Sequence, residues 1–175
     1  MRWLLLLLVS VMVACASHPP IRTEANVDIP RFMGVWHVQG HIPFLIDGEA
    51  YKQTETYQFE APNIVRTTFQ FNDGSPNGPL KTYTPTGYID LASGGGVWAM
   101  QFLWPIKAEY RIVYVDSDYS ETVIGRSTRD LVWIMSRKPT MSDDDYARLL
   151  AMAKAEGYDV SEVRRVPTAA DLDTP

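Results

Sequence analysis

The sequence predicts an all-β fold, an eight-stranded antiparallel up-and-down barrel with one C-terminal α-helix packed on the outside. Three observations lead there. Between Gly34 and Arg137, apolar and polar residues alternate in eight short runs separated by turn residues. The in-phase side of run after run is aromatic or Met, more large apolar surface than a thin two-sheet sandwich needs, which favours the barrel. After Pro139 the period changes from that of a strand to that of a helix.

Gly34–His41, rich in Val and Trp, is the first run. In Gln53–Glu60, Tyr57 and Phe59 fall on one side and Thr56 and Gln58 on the other. A turn at Ala61-Pro62-Asn63 leads into Ile64–Phe71, where Val65, Thr67, Phe69 and Phe71 share a face. Residues 72–79 are dense in Asn, Asp, Gly and Pro and read as loop. Leu80–Leu91 is a less regular strand interrupted by Pro85 and Gly87, and Gly94-Gly95-Gly96 reads as the next turn. Val97–Trp104 puts Trp98, Met100 and Phe102 in phase, and Glu109–Val115 does the same for Tyr110, Ile112 and Tyr114. Asp116-Ser117-Asp118 turns the chain into Tyr119–Gly125, and Asp130–Arg137 follows with Leu131, Trp133 and Met135 in phase. Ser142 is a good N-cap, and Asp143, Asp144 and Asp145 place negative charge at the positive end of a helix. Tyr146, Leu149, Leu150 and Ala153 then recur at helical spacing until Gly157, and Val160–Val166 adds a short last strand.

The N-terminus has a different logic. Met1-Arg2 precedes a run from Trp3 to Val13 that is apolar except for Ser10, the pattern of a secretory signal. Eleven helical residues cover about 16 Å, roughly half of a bilayer's hydrocarbon core, so the run does not span. It ends Met12-Val13-Ala14-Cys15, which resembles the lipobox of bacterial lipoproteins. That resemblance implies removal of residues 1–14 and acylation of Cys15. Ala16, where an Asp favours inner-membrane retention in lipoproteins of enteric type, leads to an expected attachment to the outer membrane, facing the periplasm. Cys15 is the one cysteine in the sequence, so no internal disulfide forms. Residues 15–28 are expected to be a flexible lipidated tether, and residues 29–175 the barrel domain. Loss of residues 1–14 removes one Arg and no acid, making the mature chain more negative than the −5 of the whole sequence. Such a balance argues against nucleic acid and against electrostatic docking on anionic lipid.

Three segments, in order, resemble the lipocalin signature: Gly34-Val35-Trp36 for the G-x-W motif, Asp116-Ser117-Asp118-Tyr119 for the D-x-D-Y turn, and Ile134-Met135-Ser136-Arg137 for the end of the eighth strand. Residues 129–166 are similar to the strand, helix and short strand of the bacterial lipocalins and apolipoprotein D. One departure is His37, where many relatives carry Tyr. The resemblance implies a barrel that holds a fatty acid or lysophospholipid for storage, transport or envelope maintenance. It also implies that Arg137 covers Trp36 at the closed end. A guanidinium over an indole contributes roughly 0.5–2 kcal/mol, which makes this pair structural rather than catalytic.

No catalytic or cofactor signature is present: there is no G-x-S-x-G, H-E-x-x-H or Walker loop. His37 and His41 lie about 13 Å apart along a strand, too far to share a metal. The candidate ligand lining is therefore the in-phase set Tyr57, Phe59, Phe69, Trp98, Met100, Phe102, Tyr110, Ile112, Tyr114 and Trp133, with Glu55 in phase with Tyr57. An apolar wall with a few polar groups suits an amphiphile, whose chain gains roughly 0.8 kcal/mol per buried CH₂. Two other readings are a barrel enzyme acting on a hydrophobic small molecule and a solid-core structural lipoprotein. The apolar loop Ile42–Ile46 is open to use as a lid, a membrane-touching lip or a homodimer contact.

Overall fold

The computed structural model describes residues 19–168. Its barrel runs through β1 (Gly34–His41), β2 (Ala50–Ala61), β3 (Ile64–Asp73), a fourth strand in two pieces, β4 (Leu80–Tyr83) and β5 (Thr86–Asp90), then β6 (Val97–Leu103), β7 (Ile106–Val115), β8 (Glu121–Gly125) and β9 (Val132–Ser136). Every neighbouring pair is antiparallel, and β9 returns to β1 with His41 opposite Trp133, which closes the barrel. The expected single strand Leu80–Leu91 is split because Pro85 has no N–H for the ladder. Its carbonyl instead accepts from Thr67 N at 3.0 Å. The expected last strand Val160–Val166 shrinks to a 3-10 turn and the two-residue β10 (Arg164–Arg165), paired to β1.

One end of the barrel is plugged. A single helical turn, α1 (Ile29–Phe32), drops Phe32 into the bore beside Trp36, with ring centroids 5.0 Å apart and Trp36 Nε1 donating to the Phe32 carbonyl at 2.9 Å. Tyr57, Trp98 and Ile112 pack into the same fully buried cluster. Arg137 covers it from outside. Its Cζ lies 3.8 Å from the Trp36 ring centroid, and its guanidinium donates to the carbonyls of Arg31, Phe32, Met33, Val35 and Tyr119.

A second core lies outside the wall. Helix α2 (Asp143–Ala155) is capped by Ser142, whose Oγ accepts from Asp145 N at 3.1 Å. It buries Leu149 and Ala153 against Val113, Val123, Val132 and Ile134. Tyr146 of α2 rests on Gly40 so closely that a Cβ there would collide with its phenol ring.

The segment expected to be a free tether is laid along the wall from residue 19 onward. The Pro19 carbonyl accepts from Arg129 Nη2 at 2.6 Å, Glu24 N donates to Ile112 O at 2.8 Å, and Val27 N donates to Gly94 O at 2.9 Å. The triple glycine makes this possible. A Cβ on Gly95 would meet Ile29, and one on Gly96 would collide with the Glu24 carbonyl. Gly94–Gly96 is thus the seat of the N-terminal strap as well as a turn. Cys15 lies outside the described residues.

Candidate ligand-binding site

The plug is at the end where β1 begins, so the opposite end is the mouth. There the β1–β2 and β8–β9 loops and the tip of the β6–β7 hairpin surround a cavity of about 120 Å³. That is several-fold the ~10–15 Å³ a single water requires. The wall is formed by Phe69 of β3, Pro85, Met100 and Phe102 of β6, Ala108 and Tyr110 of β7, and Trp133 of β9. Phe44 and Ile46 reach it from the β1–β2 loop and Leu131 from the β8–β9 loop. Alternation explains the strand contributions, since residues two apart point to one side of the sheet.

Polar groups lie at two levels: Glu55, Tyr57 and Tyr110 toward the floor, and Asp47 and Arg126 in the loops of the mouth. Tyr57 Oη donates to Glu55 Oε2 and lies 2.8 Å from Tyr110 Oη. Burial raises the Glu55 carboxyl to about 7, with the Tyr57 hydroxyl acting against the shift and the charge of Asp47 adding to it. Burial also pushes both tyrosines well above their ordinary range. Asp47 lies 3.2 Å from His41 Nδ1 without hydrogen-bond geometry, and both side chains are buried. Thr67 Oγ1 and Trp133 Nε1, on two wall residues, have no protein hydrogen-bond partner. A buried donor of this kind is costly unless something pairs with it, so the wall can accept a polar atom as well as a chain. Among the described residues there is no cluster of His, Cys, Asp or Glu able to hold a metal ion.

Of the ten in-phase residues, Phe69, Met100, Phe102, Tyr110 and Trp133 line this cavity. Tyr57, Trp98 and Ile112 face inward but sit deeper, in the packed plug. Two placements differ from the expectation. Phe59 is on the part of β2 that runs past the start of β1 at the closed end, and it is half exposed. Tyr114 is outside the barrel, against the core under α2, because a register shift between Ile112 and Tyr114 reverses the alternation. Phe44, Ile46, Pro85, Ala108 and Arg126 were not singled out by alternation. Ala108 carried a signal, being in phase with Tyr110, but its size hid it.

A barrel plugged at one end, with an apolar cavity at the other, defines a calyx for a small molecule. Residues 27–168 match the lipocalin-like domain family, and the chain belongs to that family. It is 28% identical over 165 residues to the outer membrane lipoprotein Blc of Escherichia coli K12, covering 87% of each chain. It is 37% identical over 159 residues to temperature-induced lipocalin-1 of Arabidopsis thaliana, covering 86% of this chain and 82% of that one. Among solved structures, insecticyanin from the tobacco hornworm Manduca sexta superposes with a TM-score of 0.67 at 12% identity, covering 86% of each chain, a likeness of fold.

Proposed function

We propose that the protein binds one single-chain amphiphile, of the fatty acid or lysophospholipid class, with its chain in the cavity and its headgroup at the mouth. The observation that carries this reading is the cavity's wall, apolar almost throughout and built from side chains of five barrel strands and two mouth loops. In the same reading Cys15 is acylated after loss of residues 1–14 and holds the barrel to the outer membrane on its periplasmic side. The sequence Met12-Val13-Ala14-Cys15 supports the anchor, as does similarity to proteins named outer membrane lipoproteins. Storage, transport or envelope maintenance would follow from such a site. Native mass spectrometry of the purified protein tests it: the expected result is one added lipid mass per chain that disappears on solvent extraction and returns when palmitate or a lysophospholipid is added back. A delipidated protein that takes up neither would refute the proposal.

A further inference from the structure

We infer that the mouth of the barrel is a membrane-docking surface: its apolar rim inserts into the same bilayer that holds the lipid anchor, so the cavity opens directly onto lipid. The exposed large apolar side chains are unevenly placed. Seven of the ten among the described residues lie at the mouth end, and three, Val35, Phe59 and Leu91, at the other. Leu45 of the β1–β2 loop is 92% exposed, and Leu103, Trp104 and Ile106 of the β6–β7 hairpin are 70%, 82% and 67% exposed. Nothing in the fold uses these side chains. A soluble surface scatters such residues singly, whereas two neighbouring loop tips carrying Leu, Trp and Ile mark a contact site. Trp beside aliphatic side chains suits the boundary between headgroups and acyl chains.

The course of the N-terminus selects the bilayer as the occupant. Pro19 is hydrogen-bonded to Arg129 in the β8–β9 loop, at the mouth, before the strap descends to the plug. Cys15 is four residues earlier, a reach of at most about 14 Å when fully extended. This step rests on the acylation of Cys15 proposed above. An anchor on so short a lead holds the mouth, and not the plug, against the membrane. The chain is acidic overall, so the contact is made by apolar insertion and not by charge. Phe44 and Phe102 join the two features, since each is half exposed at the rim and also lines the cavity. An acyl chain would pass from bilayer to wall along apolar side chains without crossing water.

Because the sequence has one cysteine and acylation would occupy it, a second can carry a probe. The mature acylated protein, with a nitrobenzoxadiazole fluorophore on Leu45→Cys at the mouth or Leu91→Cys at the plug, is reconstituted in phosphatidylethanolamine/phosphatidylglycerol vesicles and exposed to dithionite. The expected result is reduction at position 45 slowed at least fivefold relative to the detergent-free soluble chain, with position 91 unchanged. Equal rates at the two positions, or protection at 91 alone, would overturn the inference. Intact mass reports acylation separately, so failure of the anchor is distinguishable from failure of the orientation. A second arm needs no anchor. The mature Cys15→Ala chain should bind the same vesicles, and Leu45→Glu with Trp104→Glu should reduce that binding at least tenfold, with little effect of 0.5 M salt. If the double variant instead abolishes a dimer in sedimentation velocity and leaves vesicle binding unchanged, the rim is covered by a second copy and the inference is wrong.

Discussion

Replacing Arg137 by Ala tests how the closed end is held. Its guanidinium makes five hydrogen bonds to backbone carbonyls, three of them to Arg31, Phe32 and Met33 at the end of the plug helix, and also stacks on Trp36. A buried hydrogen bond to a charged donor is worth about 1.5–3 kcal/mol. Here the five share one half-exposed cation, and water can reach some of the freed carbonyls, so the set is taken as the equivalent of about one such bond. With roughly 0.5–2 kcal/mol for the cation–π contact, the expected loss is about 3 kcal/mol. At ~2–4 °C per kcal/mol for a domain of this size, the melting temperature should fall by about 6–12 °C. Arg137→Lys keeps the charge without the planar fork and should lose about half as much. Thermal unfolding followed by tryptophan fluorescence measures both variants, and lipid titration of each folded protein should give the wild-type affinity, because the cavity is at the other end. An unchanged melting temperature, or lost lipid affinity in a fully stable variant, would refute this account of the residue.

Other outcomes follow from the same geometry. Burial keeps the proton on Glu55 up to about pH 7 in the folded chain, whereas the unfolded chain releases it near 4.5. Its contribution is therefore complete below about pH 4.5 and is lost as the pH rises through 7, by up to roughly 3 kcal/mol, and Glu55→Gln should flatten that part of a urea-midpoint-versus-pH profile. Ile112 is fully buried in the plug cluster, so Ile112→Trp should cost several kcal/mol through overpacking in a thermal melt, beyond the ~1–3 kcal/mol usual for such changes. Expressed behind a signal cleaved without lipidation, the Cys15→Ala chain should move mainly to the soluble periplasmic fraction, and Trp104→Glu should remove the remainder from membranes.

Alternation in the sequence located the strands and most inward faces because the side-chain period of a strand is two. It carries no information on height along the barrel. Tyr57, Trp98 and Ile112 have the same phase as the cavity residues but lie in the plug, and Phe59 passes beyond it. Nor does alternation show a bulge without a Gly or Pro to mark it, which is why Tyr114 sits outside the wall. The plug turn Ile29–Phe32 and the strap before it were hidden for another reason. Both are held by long-range contacts, to Arg137, Tyr119 and the glycines at 94–96, that no local pattern encodes. The apolar loop at 42–46 was visible as an anomaly, and its contribution of Phe44 and Ile46 to the cavity emerges only once the barrel is closed. The choice between container and solid core also depended on height: the lower half is packed, and the upper half holds the cavity.

The central claim is that this cavity holds the acyl chain, and filling it tests that claim most directly. Ala108, near the mouth end of β7, lines the wall, and a Phe there should project its ring into existing space. Calorimetric titration of delipidated protein with palmitate should saturate at one lipid per wild-type chain, and Ala108→Phe should weaken binding at least tenfold while the melting temperature stays within a few degrees. An Ala108→Phe protein that binds palmitate as tightly as the wild type would place the ligand elsewhere and contradict the account.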